Sequence, residues 1–174
     1  MRVVAGELKG RRLRAPAGGA VRPTSDRARE ALFSMLGDVS GMRVLDLFAG
    51  TGALAIEALS RGAAEAVLVD TQPRWARENI EELGLADRAR VVRADAIAFL
   101  RGEPDAPYPL ILCDPPYRLA RRLEADLRNL APAWLAPGGR IVVESAVREA
   151  IDLSLELERE RRYGDALLRI WRMS

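Results

Sequence analysis

The sequence predicts a single α/β domain built on an open, doubly wound sheet of mostly parallel strands. Three observations carry that expectation. From residue 43 onward a short apolar run, a turn and a helix-forming stretch recur, and parallel neighbours need crossovers of this kind. The apolar runs are nearly continuous, as strands buried on both faces must be. The 174 residues suit one domain with at most a small appendage, and 49% of them are hydrophobic, enough to fill the core of a chain that buries about 70% of its unfolded surface.

The opening, Met1 to Leu13, forms two short stretches around Gly6 and Gly10, Arg2-Val3-Val4-Ala5 and Leu8-Lys9-Gly10-Arg11-Arg12-Leu13, and reads as a small β-ribbon. Residues 15–20, with Pro16, Gly18 and Gly19, read as loop. Ala28, Leu32, Met35 and Leu36 then recur at helical spacing. Thr24 or Ser25 can cap that helix, and Asp26 complements its dipole in the first turn. Gly37 and Gly41 close it.

The first buried strand is expected at Arg43–Phe48, followed by Gly50-Thr51-Gly52 and a helix from Ala53 to about Arg61. Ala66–Asp70 is the second strand. Its helix runs from Pro73 to Leu83, proline suiting a first helical turn. Arg90–Asp95 gives the third strand, with a helix through Leu100, and Pro109–Asp114 the fourth. Pro115-Pro116-Tyr117 leads into a helix from about Ala120 to Leu135, which stops before Pro137-Gly138-Gly139. Arg140–Glu144 is the fifth buried strand. Ser154–Arg162 and Ala166–Met173 alternate around Tyr163-Gly164-Asp165 as a closing hairpin. In an open sheet of this kind, ligands sit beyond the carboxyl ends of the strands.

Composition excludes several chemistries. The single cysteine, Cys113, forbids an intrachain disulfide, and the absence of histidine removes Cys/His zinc sites, His-based triads and His general bases. Cys113 itself reads as a small apolar strand residue. Acid–base chemistry falls to carboxylates, tyrosine, lysine or the backbone, with no metal expected. No apolar run approaches the roughly 20 residues of a membrane helix, and the first residues lack a signal peptide's apolar stretch, so the expected location is the cytoplasm. The formal net charge is +2, yet residues 1–30 hold eight basic and three acidic groups, net +5, and the remainder nets −3. That asymmetry favours an anionic partner at the N-terminal segment. Of 27 basic residues only Lys9 is lysine. Arginine is the better planar partner for phosphates and base edges. A codon bias would also replace lysine everywhere, but it does not explain the clustering.

Asp46-Leu47-Phe48-Ala49-Gly50-Thr51-Gly52-Ala53-Leu54-Ala55 sets a Gly-x-Gly-x-x-Ala turn between a strand and a helix. The glycines permit a tight turn and close ligand approach, and the helix start offers N–H groups to an anionic end of a ligand. Asp70, 20 residues beyond Gly50 at the end of the second strand, is placed to accept hydrogen bonds from ribose hydroxyls. Asp95 closes the third strand and can orient an adenine amine or cap the next helix. A nicotinamide dehydrogenase would share the turn and Asp70, but would not need the next motif.

Asp114-Pro115-Pro116-Tyr117 is a rigid corner, because proline fixes φ and biases the preceding residue toward extended geometry. The Asp114 carboxylate and the Pro115 carbonyl can then face one small volume. An exocyclic base amine is a poor nucleophile, since its lone pair is delocalised into the ring. Hydrogen bonds from its two N–H groups to a carboxylate and a carbonyl favour a pyramidal nitrogen and free that pair for attack on an electrophilic methyl. Tyr117 would stack on the base, worth about 1–3 kcal/mol.

These motifs resemble those of S-adenosylmethionine-dependent amino-methyltransferases. Arg2 to Leu13, Arg22-Pro23-Thr24-Ser25-Asp26-Arg27-Ala28-Arg29-Glu30-Ala31-Leu32-Phe33, Asp46 to Leu54 with Glu57-Ala58-Leu59-Ser60-Arg61, and Val143-Glu144-Ser145 are similar to the bacterial RsmD-type 16S rRNA guanine-N2 methyltransferases. The resemblance implies a Rossmann-like class I methyltransferase fold, seven-stranded and mostly parallel. It divides the chain into a β-hairpin extension contacting RNA at residues 1–20 and a methyltransferase domain at 21–174. It further implies that S-adenosylmethionine contacts Asp46, Phe48, Gly50, Gly52, Asp70, Asp95 and Ala96. Arg22-Pro23-Thr24 would lie over the pocket, with Arg22 and Thr24 touching the donor. Asp114, Pro115, Pro116 and Tyr117 would hold the guanine, and a monomer would act on 16S rRNA within the small subunit or its assembly intermediate. Lys9, Arg11, Arg12 and Arg14 are the phosphate candidates, with Arg118, and then Arg121 and Arg122, placed to meet the RNA backbone. Arg27 and Arg29 are either RNA contacts or a solvated helix face. The corner alone does not choose between guanine N2 and adenine N6 in RNA or DNA, nor does the fold exclude a non-catalytic assembly factor.

Overall fold

The computed structural model describes residues 1–16 and 26–174, with the side chains of Tyr117 and Ala120 outside the described set. Seven strands form one sheet: β1 (Arg43–Leu47), β2 (Glu65–Asp70), β3 (Ala89–Arg93), β4 (Tyr108–Cys113), β5 (Leu135–Ala146), β6 (Glu156–Tyr163) and β7 (Ala166–Arg172). Their order is β3-β2-β1-β4-β5-β7-β6. The first five pair in parallel, and β7 runs antiparallel to both β5 and β6. This is the seven-stranded, mostly parallel sheet that the resemblance implies. The chain winds outward from β1 to β3, then returns to lay β4 on the other side of β1. The connections leaving β1 and β4 therefore diverge, which opens a crevice at the carboxyl edge between them.

Side-chain alternation along the strands divides the core into two layers. Val44, Leu68, Leu110, Leu112 and Val142 face helices α1 (Asp26–Leu36), α2 (Ala53–Ser60) and α3 (Arg74–Glu82), meeting Leu32, Phe33, Leu36, Ile56, Leu59 and Ile80. Leu45, Leu47, Val69, Ile111 and Cys113 point to the other face, where α4 (Ala96–Leu100) and α5 (Ala120–Leu130) supply Ile97, Leu100, Leu123 and Leu127. Each such large side chain contributes roughly 1.5–3 kcal/mol by leaving water.

Three elements differ from the sequence reading. The expected β-ribbon is reduced to one antiparallel bridge, Arg2 with Arg12, closed by Val3 N–H to the Arg11 carbonyl and Gly10 N–H to the Val3 carbonyl, both at 2.9 Å. The helix expected to reach Leu135 ends at Leu130 and tightens into a 3-10 turn over Ala131–Trp134, because Pro132 lacks the N–H that an α-helix would use. Leu135 instead begins β5, twelve residues long, whose register against β4 shifts between Tyr108 and Leu110. The proposed capping residues Thr24 and Ser25 lie outside the described residues.

A buried carboxylate holds the N-terminal hairpin in place. Glu57, fully buried in α2, accepts the backbone N–H groups of Val4 (2.8 Å) and Ala5 (3.0 Å) and the guanidinium Nε of Arg61 (2.8 Å) and Arg29 (3.4 Å). Arg29, also fully buried, donates as well to Asp26 (2.8 Å) and to the Arg2 carbonyl. Arg29 is thus neither an RNA contact nor part of a solvated face; it belongs to an internal ion-pair cluster. Breaking such a cluster leaves a stranded charge, costing about 3–5 kcal/mol. Glu57→Ala is expected to lower the melting temperature by roughly 6–20 °C at about 2–4 °C per kcal/mol, measured by differential scanning calorimetry.

Candidate active site

The carboxyl edge of the sheet gathers the residues that the sequence singled out. Leu47 is in register with Val69 of β2 and with Cys113 of β4, so Phe48, Asp70 and Asp114 emerge side by side on strands about 4.8 Å apart. Asp46, in line with Val44, and Asp70, in line with Leu68, both project toward the α1–α3 layer. Asp46 is buried, and only one of its oxygens is used: Oδ2 accepts the Ala55 N–H at 3.1 Å, whereas Oδ1 has no hydrogen-bond partner among the described residues. Burial pushes its carboxyl well above the usual range, and the negative charges of Asp114 and Asp70 push it further. The shared register of β1, β2 and β4 places the glycine-turn side and the Asp114 corner at one edge.

The glycine turn departs from β1 through a strained residue. Phe48 takes φ 62, a left-handed conformation costly for a residue with a Cβ. Gly50 and Gly52 follow at φ 55 and 79. A Cβ on Gly52 would sit 2.9 Å from Leu68 Cδ2 and 3.3 Å from Ile56 Cδ1, so glycine there lets α2 pack on the sheet. At Gly50 the nearest atom to such a Cβ is 3.9 Å away, so glycine there leaves an open cradle beside the helix start. Asp70 holds the cradle's shape: Oδ2 accepts the Gly50 N–H at 2.8 Å and Oδ1 the Gln72 N–H at 2.7 Å. A carboxylate offers about four acceptor positions, so capacity remains for ribose hydroxyls.

Farther along the same edge, Asp95 is the N-cap of α4 and accepts the Ala98 N–H at 2.9 Å. The capping alternative is therefore realised, with Ala96 buried behind it. Asp95 and Ala96 follow β3, two strands and about 10 Å from β1, the breadth of a nucleoside. On the other side of β1, Asp114 is half-buried, Pro115 buried and Pro116 exposed. The Pro116 carbonyl accepts the Leu119 N–H at 2.8 Å in a 3-10 turn over Tyr117–Leu119. Glu144 lies buried next door on β5. Cys113 is buried, and burial together with Asp114 and Asp46 pushes its thiol well up, as suits an unreactive strand residue. Arg22, Thr24 and the Tyr117 side chain lie outside the described residues.

The basic candidates separate. Lys9, Arg11, Arg12 and Arg118 are exposed. Arg14 is exposed too, but its guanidinium pairs with Glu82 at 2.6 Å and approaches Glu78 at 3.9 Å. The hairpin lies along α2 with Met1 Sδ 3.8 Å from Thr51 Oγ1 and its tip at Ser60, where Leu8 N–H meets Oγ at 3.0 Å. Lys9 thus sits about 10 Å down the helix from the glycine turn.

Asn79 of α3 was not singled out by the sequence. Its buried amide accepts the Arg14 N–H (2.7 Å) and donates to the carbonyls of Arg14 (3.0 Å) and Thr51 (2.9 Å). It clamps the end of the hairpin to the glycine turn. An asparagine between Ala76 and Ile80 on the buried stripe of a helix was the available signal.

The family model described as conserved hypothetical protein 95 matches residues 1–172. Ribosomal RNA small subunit methyltransferase D of Escherichia coli (strain K12) is 37% identical over 98% of this chain and 89% of its own length. The solved structure of the Escherichia coli protein yhhF superposes with a TM-score of 0.84 at 35% identity, covering 100% of this chain and 98% of that one. A hypothetical protein from Thermus thermophilus superposes with a TM-score of 0.81 at 34% identity, covering 98% of each chain.

Asp46 gives the fold a pH signature. Its folded-state pKa is raised, so the folded chain retains a proton that the unfolded chain has released. The contribution of Asp46 to stability is fullest below the ordinary carboxylate range, near pH 4. It falls as pH rises toward the raised value and is level beyond it. Asp46→Asn cannot ionise, so the melting temperature of the ligand-free variant is expected to gain on the parent steadily as pH rises through that window, measured in melts from acid to mildly alkaline buffer.

Proposed function

The chain belongs to the conserved hypothetical protein 95 family, and from that premise we propose that it transfers a methyl group from S-adenosylmethionine to the exocyclic N2 of a guanine in 16S ribosomal RNA. The substrate would be the small ribosomal subunit or an assembly intermediate, met in the cytoplasm by a monomer. The observation that carries this reading is the meeting of Asp46, Asp70 and Asp114 at one edge of three neighbouring parallel strands, with Asp46 buried and one of its oxygens unpartnered among the described residues. Carboxylates gathered so closely favour a cationic ligand, and a sulfonium with an amino-acid tail is one. The unpartnered Oδ1 of Asp46 and the open cradle at Gly50 fit such a donor. The relative from Escherichia coli is named for the RNA substrate. No helix among the described residues is long and apolar enough to cross a membrane.

In this reading Asp46, Phe48, Gly50, Gly52 and Asp70 hold the donor, Asp95 and Ala96 meet its adenine, and Arg22 and Thr24 cover it. When bound, S-adenosylmethionine supplies an electrophilic methyl carbon. Asp114 and the Pro115 carbonyl each accept one N–H of the guanine amine, drawing the nitrogen toward a pyramidal form with its lone pair aimed along the edge toward β1. Pro115 and Pro116 fix the corner, and Tyr117 stacks on the base. With the donor bound, the nitrogen would bond to the methyl carbon as the carbon–sulfur bond breaks, leaving neutral S-adenosylhomocysteine, and one amine proton would pass to solvent. Alignment supplies much of the rate, because reacting atoms already in place avoid the entropy of encounter. Lys9, Arg11, Arg12 and Arg14 would touch RNA phosphates farther from the base.

Asp114→Asn keeps the shape of the corner but removes a charged acceptor worth about 1.5–3 kcal/mol. Transfer of tritiated methyl to small-subunit particles lacking the modification is expected to fall about 10- to 100-fold, with affinity for S-adenosylhomocysteine retained. Nucleoside analysis of the labelled RNA should give N2-methylguanine. N6-methyladenine would overturn the base assignment, and no methylated product with the parent chain would overturn the activity.

A further inference from the structure

We propose that the groove between α5 and the segment following β5 grips the sugar-phosphate backbone of the RNA immediately beside the target base; the proposal rests on the reading of the chain as an RNA methyltransferase. The groove has a volume of about 420 Å³ and is lined by Arg121, Glu124 and Arg128 from α5 and by Arg148 and Glu149 from the turn beyond β5. Its place is set by topology. Helix α5 starts six residues after Asp114, and β5 leaves the sheet next to β4, with Val143 in register with Cys113. The groove therefore opens on the acceptor side of the site.

Its charges divide into those already used and those left over. Arg128 donates to Glu124 at 2.6 Å and to the Asp152 carbonyl at 2.9 and 3.1 Å, a link that ties α5 to the segment opposite and walls the groove. Arg121 and Arg148 face it from opposite walls, both exposed and neither making an ion pair among the described residues. Arg118 and Arg122, likewise exposed and without an ion pair among those residues, extend the positive strip along the start of α5. Glu149 is the one lining carboxylate outside the Arg128–Glu124 pair. Cations at a helix start oppose the helix dipole, so this crowding is unfavourable until an anion arrives. Four such arginines, spread over the 3-10 turn before α5, α5 itself and the turn after β5, exceed what one small anion can engage, and they suit consecutive phosphates. The hairpin cannot serve the same place, since it lies on the opposite layer of the sheet, against α2 and α3.

The test uses the full chain and a short fluorescein-labelled single-stranded RNA, with affinity read by anisotropy over a salt series. On a single strand, each phosphate that a variant no longer neutralises makes the logarithmic salt dependence shallower by about 0.7. Arg121→Ala with Arg148→Ala is expected to flatten the slope by about 1.4 and weaken binding at low salt. KM for small-subunit particles should rise with kcat held within about twofold, and S-adenosylhomocysteine affinity should be unchanged. Arg101→Ala, on the surface at the end of α4, should leave the slope as it was. A double variant with the parent slope and affinity overturns the groove while leaving the methyltransferase reading intact. A parent chain that neither binds the RNA nor methylates particles overturns both.

Discussion

Three carboxyl groups brought to one edge of a parallel sheet, one of them buried, are the constraint around which the candidate site is organised. Asp46 is buried with one oxygen unpartnered, and it feels both Asp70 and Asp114. A fold tolerates such an arrangement only where the surrounding structure over-determines it. Here β1 is flanked by β2 and β4 in fixed parallel register, so the three side chains cannot separate. The strained Phe48 and the two left-handed glycines then turn the chain away within a few residues, leaving a cradle where packed side chains would otherwise lie. In the proposed function, the carboxyl groups at the edge and the room beside them are two halves of a site for a cation carrying a nucleoside.

The N-terminal hairpin serves that site from behind. Val3 and Leu13 sit in the same apolar layer as α1 to α3, Glu57 collects the hairpin's backbone and two arginines, and Asn79 ties Arg14 to the Thr51 carbonyl. Arg14, at the end of the hairpin, is thereby fixed relative to the glycine turn. The net positive charge of the first 30 residues is accordingly less available than its count suggests, because Arg29 is internal and Arg14 is paired. A separate group of arginines lies on α5 and the turn after β5, where Arg121 and Arg148 line one groove.

The strands were legible because their signals are local. Val44-Leu45-Asp46-Leu47, Ala66 to Asp70 and Leu110 to Cys113 are apolar runs ending in or beside acids, and each became a buried parallel strand. The edge on which the acids meet followed from parallel pairing alone. What stayed hidden depends on partners distant in sequence. Arg29 looked like any helix-surface arginine, and only Glu57, 28 positions away, reveals it as internal. Glu57 carried its own signal, a carboxylate in the otherwise apolar helix around it, but not the identity of what it binds. The β-ribbon pattern around Gly6 and Gly10 was right about the reversal, but the pairing is shorter than the pattern suggests, a single antiparallel bridge, and the turn docks on Ser60 rather than extending a ladder. Arg148 carried no motif, and its meaning comes from lying across a groove from Arg121.

The central claim, that donor and acceptor share one carboxylate-lined cleft, is tested most directly by calorimetric titration of S-adenosylmethionine and S-adenosylhomocysteine into the parent chain and into Asp114→Asn. The two ligands differ by a methyl group and one positive charge at sulfur. If Asp114 faces that sulfur across the crevice, the variant loses about tenfold of the preference for the charged ligand, in keeping with charges several ångströms apart in a partly shielded site, and binds the neutral one unchanged. An affinity ratio identical in both proteins would put Asp114 outside the donor's field and contradict the account.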